Sequence, residues 1–197
     1  MRISARNPIN PDVIDYRQSR RRTRHDRGEL TMRWSLPIAL LLITATSAFA
    51  ADPVGCEKFK WPMDKELALL TAPSLPKLTV GAEMPPAPAA FTVTLRPIAN
   101  ADLPKPPERP QKPGSYAGFI RATAGSPGLY TVTISDYGWI DVVQNDAYLK
   151  ATGFSGVTGC PGARKSVRFD LSAGPLTIQV SGAAKNAINV AFTPATP

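Results

Sequence analysis

The residues able to do chemistry fall into two groups. Asp136, Asp141 and Asp146 surround one turn. That spacing can present a pair of carboxyl groups to a glycosidic bond, or several oxygens to Ca²⁺. Arg164, Lys165, Ser166 and Arg168 form one short basic run. In a strand, Arg164, Ser166 and Arg168 share a face with Lys165 beside them. Such a stripe suits a carboxylate, a phosphate or an acidic glycan, and Arg suits bidentate contact. Tyr137 and Trp139 add an aromatic platform for a sugar ring. Each group also has a plainer use. Asp136 and Asp146 have the character of turn residues, and Asp141 that of an exposed strand position. The basic stripe also reads as a solvated outer face with Asp170 as partial counter-charge. Trp139, out of phase with Ile140, reads as core where both faces of a strand are covered.

The residue inventory excludes much else. The chain has one histidine, His25, and none after it. Past that point a Ser-His-Asp triad, a Cys-His pair, the usual zinc sites and a two-His-one-carboxylate iron site cannot be assembled. No metal and no cofactor is expected. Two near-matches fail on spacing. The run from Gly159 through Gly162 to Arg164-Lys165-Ser166 lacks the Gly directly before Lys that a phosphate loop needs, and a strand follows it. Ser74-Leu75-Pro76-Lys77 matches S-x-x-K, but no K-T-G accompanies it. Cys56 and Cys160 are the two cysteines, with no C-x-x-C spacing. In an oxidising compartment they are expected to form one disulfide rather than a reactive thiol. Pro53-Val54-Gly55 argues against lipidation of Cys56.

The compartment follows from residues 32–50, MRWSLPIALLLITATSAFA. Arg33 gives a positive start, an apolar stretch follows, and Ala48-Phe49-Ala50 places small residues for cleavage before Ala51. A periplasmic or secreted protein is expected, with residues 1–31 an over-extended gene start or a disordered leader. Ser19-Arg20-Arg21 lacks the apolar residue that normally follows in a twin-arginine signal. The apolar stretch is too short to span a bilayer, so no transmembrane segment is expected. The whole chain is +8, whereas residues 51–197 hold 14 basic and 11 acidic residues, a net of +3. Nucleic-acid binding is therefore not expected.

The elements that must position these groups are mostly strands. Residues 59–70 predict a short helix, with Pro62 in its first turn and Pro73 stopping it. A proline-rich stretch runs from Pro73 to Pro113, interrupted by a strand at residues 91–95. Its tail, residues 103–113, predicts extended polyproline II running along the domain surface. From Ser115 the period is two. Tyr130, Val132 and Ile134 alternate with threonines, and Val167, Phe169 and Leu171 with polar residues. Leu176, Ile178 and Val180 continue the pattern, which Ile188, Val190 and Phe192 close. The expected fold is all-β: an antiparallel, jelly-roll-like sandwich of seven or eight strands with one buried face and one short N-terminal helix. The sandwich core is assigned to residues 115–197, and residues 51–114 pack on it. The helix is expected across an open end or edge, and the protein as a monomer.

Two resemblances accompany this reading. Gly128-Leu129-Tyr130-Thr131-Val132, Trp139-Ile140-Asp141-Val142 and Leu171-Ser172-Ala173-Gly174 with Ile178-Gln179-Val180 are similar to secreted sandwich modules of the pre-peptidase C-terminal and PA14 types. That resemblance implies the fold over residues 115–193 and carries no site. Cys56-Glu57-Lys58-Phe59, Trp61-Pro62, Gly159-Cys160-Pro161-Gly162 and the basic run resemble a group of uncharacterised exported bacterial proteins. Some of these carry the name homogentisate 1,2-dioxygenase, which implies iron held by His and Glu, and residues 51–197 contain no His. The function expected is a non-catalytic binding or envelope-accessory protein, its partner an anionic glycan or an envelope protein. The alternative is a His-independent hydrolase using Asp136 and Asp141.

Overall fold

Runs in which β-branched or aromatic residues alternate with small polar ones can bury one side of a pleated strand, and here they build two sheets. The computed structural model describes residues 51–195; the leader, His25 and the expected signal at residues 32–50 lie outside the described residues. Along the chain come a short helix α1 (Asp64–Leu70), then β1 (Lys77–Leu78), β2 (Ala89–Thr94), β3 (Arg96–Pro97), β4 (Tyr116–Ala124) and β5 (Gly128–Ile134). They are followed by β6 (Trp139–Gln144), β7 (Ala147–Tyr148), β8 (Gly153–Gly156), β9 (Lys165–Leu171), β10 (Gly174–Ala183) and β11 (Ala187–Pro194). One sheet has the order β1-β2-β11-β5-β9-β8 and the other β3-β4-β10-β6-β7. Named strands pair antiparallel, except β1 with β2. The chain crosses between sheets from β2 to β4 to β5 to β6, and again from β9 to β10 to β11, which is jelly-roll winding.

Between the sheets lie Phe91, Val132, Ile134, Val142, Phe169, Ile178, Val190 and Phe192. The rings of Tyr130 and Phe192 stack there, 5.1 Å between centroids. The outer faces are covered as well, beyond the single buried face expected from the alternation.

On the β2–β11 side the cover is α1 and the chain leading into it. Phe59, Met63 and Leu70 pack on Ala90, Ala191, Val157 and Ala163. The helix therefore lies on a sheet face and not across an open end, because the small residues Ala90 and Ala191 leave room for it. Under this cover Thr193 donates to the buried Glu66 carboxylate. The helix begins at Asp64, after Pro62 rather than around it, and a separate 3-10 turn occupies Cys56–Lys58. The Cys56–Cys160 disulfide closes across 104 positions, and backbone bonds Gly55 N–H to Thr158 O (2.8 Å) and Thr158 N–H to Pro53 O (2.8 Å) flank it.

Residues 103–113 cover the outer face of β6 and β10. Their prolines remove the donors that a further strand would need. Side chains of the sheet bind the strap instead. The buried Gln179 amide accepts from Lys105 N–H (3.1 Å) and donates to Lys105 O (3.2 Å), imitating a ladder partner. Asp141 accepts from Glu108 N–H at 3.4 Å, and the Tyr148 hydroxyl donates to Pro106 O. No helix among the described residues is long and apolar enough to cross a membrane.

Candidate functional site

The sheets part where β8 and β9 face β6 and β7, leaving a cleft of about 790 Å³. Its apolar lining is Ile140, Leu149, Val167 and Phe169. Five aromatic side chains line it: Tyr137 from the β5–β6 turn, Trp139 at the start of β6, Tyr148 from β7, Phe154 from β8 and Phe169 from β9. Tyr137 and Phe154 are largely exposed, 66% and 62%. Six cations line the same space, namely Lys58, Lys60, Arg109, Lys150, Arg164 and Lys165, against the acids Asp52 and Glu108. Asp52 is already paired with Arg164 at 2.5 Å.

Trp139 gathers three charged groups: the half-buried Lys165, the exposed Arg109 and the buried Asp141. Lys165 opens β9 in phase with Val167 and Phe169, so its stem runs inward between the sheets. Its Nζ sits 4.2 Å from the Trp139 ring centroid and donates to Gly138 O at 3.4 Å. The Arg109 guanidinium, carried by the strap, lies 4.0 Å from the same centroid. Burial pulls the Lys165 pKa below the ordinary lysine value, and the Arg109 charge adds to that; Asp141 acts against it. The indole N–H is bonded to Asp141 Oδ1 at 2.6 Å. Asp141 is 2% exposed, and burial raises its pKa above the usual carboxylate range against the bonds from Trp139 and Glu108.

The residues singled out in the sequence divide between two faces. Tyr137, Trp139, Arg164 and Lys165 meet in the cleft. Arg164 precedes β9 and is tied down by Val157 O (2.8 Å) and Asp52. Ser166 and Arg168 turn to the opposite face, under Trp61. The Ser166 hydroxyl contacts Thr133 Oγ1 (2.9 Å) and accepts from Trp61 Nε1 (3.2 Å), and the Arg168 guanidinium stacks 4.4 Å from the Trp61 ring. Neither lines the cleft.

The three aspartates serve separate contacts. Asp136 is paired with Lys185 at 2.7 Å, which holds its carboxyl below the usual range. Asp146 pairs with Lys105 at 2.9 Å, and Asp141 lies beneath the strap. Neither Asp136 nor Asp141 lines the cleft. Among the described residues no group of three His, Cys, Asp or Glu could hold a metal ion.

Sequence reading missed Lys58, Lys60, Arg109, Lys150, Tyr148 and Phe154 at this site. Their one sequence-level signal is weak: an Arg inside a proline run, and aromatics beside turn residues. Comparison with known proteins returns no match, whether to a family model, a curated protein or a solved structure.

Proposed function

We propose that this chain is an exported bacterial binding protein, without catalysis, whose cleft takes an anionic glycan. One observation carries the reading: six cations and five aromatic rings share one cleft with only two acids, one of them already neutralised by Arg164. Cations supply the charge recognition, and the exposed Tyr137 and Phe154 rings give apolar surface to a sugar face. The disulfide and the expected signal at residues 32–50 support a periplasmic or extracellular setting, since disulfides persist in oxidising compartments. The hydrolase reading has no comparable support, because Asp136 and Asp141 are engaged outside the cleft. The test is calorimetric titration of residues 51–197 with acidic and neutral oligosaccharides of equal length. Binding confined to the acidic series, weakening as salt rises, is expected. Equal affinity for both series, or none for either, overturns the reading.

A further inference from the structure

Two cations share one indole, and neither is in an ion pair among the described residues. Arg109 and Lys165 lie within 4.2 Å of the same ring centroid, so their charges fall within about 8 Å of each other, no farther than a physiological Debye length. Four ion pairs are present among the described residues, and neither cation belongs to one. Asp141 beneath them is committed to the Trp139 and Glu108 N–H groups. Lys165 is also placed against its own solvation: it occupies an inward position of β9, where Val167 and Phe169 are core. A protein that needed only a folded sandwich would put an apolar residue there.

Arg109 reaches the site by a different route. It sits between Glu108, whose N–H is held by Asp141, and Pro110, which restricts Arg109 to extended backbone. Its backbone is therefore largely set before any ligand arrives, which lowers that part of the ordering cost of binding.

We propose that Arg109 and Lys165, seated together on Trp139, form a clamp for a single oxyanion carried on a sugar ring, the specificity-determining point of the cleft. This rests on the glycan-binding reading and sharpens it. The ligand must present one carboxylate or sulfate group beside Trp139, where the half-buried Lys165 and the exposed Arg109 both line the cleft, with the rest of the saccharide running past Tyr137 and Phe154. A neutral sugar leaves both cations unpaired, and their repulsion unrelieved.

The experiment titrates residues 51–197 with tetragalacturonate, a sulfated galactan oligomer and neutral galactotetraose. The wild type is compared with Arg109→Ala, Lys165→Met, the double variant, and Lys58→Ala/Lys60→Ala as a rim control. Each single clamp variant is expected to lose tenfold or more in affinity for whichever acidic oligomer binds. The double variant should lose far less than the product of the two, because one anion serves both cations. The rim control should lose only a few-fold. The carboxylate and sulfate arms show which oxyanion is taken. Thermal melting confirms that every variant is folded, and Lys165→Met is expected to melt higher than wild type. Unchanged affinity in both single variants, or fully multiplicative losses, overturns the clamp while leaving glycan binding intact. Failure of the wild type to bind any acidic oligomer overturns both.

Discussion

Asp141 Oδ1 accepts the Trp139 indole N–H at 2.6 Å, and the other oxygen of the same carboxylate accepts Glu108 N–H at 3.4 Å. One buried side chain thus orients the ring of the cleft and ties down the strap that brings Arg109 to it. Asp141→Ala leaves both donors without a partner and is expected to cost about 1–3 kcal/mol. Asp141→Asn keeps an acceptor for the indole and should cost less. Urea unfolding gives the stability, and a red shift of tryptophan emission reports the loosened ring.

The same carboxyl makes stability depend on pH. Its folded pKa is raised, so between the unfolded value, roughly 3.9, and the folded value the native state binds more protons than the unfolded state. Stability contributed by this group is therefore present at low pH and declines as pH rises through that window, then levels. Asp141→Asn should flatten this decline in a pH series of denaturant midpoints, and an unchanged slope would count against the assignment.

Lys165 has the opposite dependence. Its folded pKa is lowered, so the unfolded state holds more protons from that value up to roughly 10.4. Stability should rise with pH across this range. Lys165→Met removes the rise, and at neutral pH it should stabilise the unliganded protein by about 0.5–2 kcal/mol while weakening the ligand. Gain of stability with loss of binding distinguishes this site from ordinary core, where both would fall.

The disulfide closes a loop of 104 positions. Replacing Cys56 and Cys160 by Ser is expected to remove about 4–5 kcal/mol by freeing the unfolded chain. Chemical denaturation of the oxidised and substituted proteins checks this. The substitution also unpins the segment bearing Lys58 and Lys60, so a modest loss of ligand affinity should accompany it.

Ser166 and Arg168 should matter only for stability. Arg168→Ala gives up the contact with Trp61, worth about 0.5–1 kcal/mol, and should leave ligand affinity unchanged. Calorimetry on this variant beside Arg109→Ala separates the two faces of β9. Loss of binding in Arg168→Ala would move the site to the wrong side of the sheet.

The strands were legible because Tyr130-Thr131-Val132-Thr133-Ile134 and its counterparts carry a strict period of two. What covers them was not. Thr131, Thr133 and Thr193 look solvent-facing in the sequence yet are at most 1% exposed, because α1 and Trp61 arrive over them from some sixty or more positions away in the chain. The helix start shifted to Asp64 because Pro62 stayed outside the first turn, with Met63 at the N-cap. The basic run was visible as composition. Its division was less so: Ser166 and Arg168 follow the outer phase of β9, Lys165 follows the inner phase, and Arg164 stands before the strand begins. Arg109, Lys150 and Lys60 could not be joined to that run by any local pattern, since only the jelly-roll winding brings their segments to one edge.

The strap has one more property. Lys105, Arg109 and Lys112 are each followed directly by proline, at 106, 110 and 113. Proteases of the trypsin type cleave after lysine or arginine but are blocked when the next residue is proline. Residues 103–113 have no ladder to shield them, yet they offer such an enzyme no ready bond. Against an enzyme of that kind, this is protection written into the covalent chain. The same prolines that deny the strap a place in the sheet deny a protease its cut.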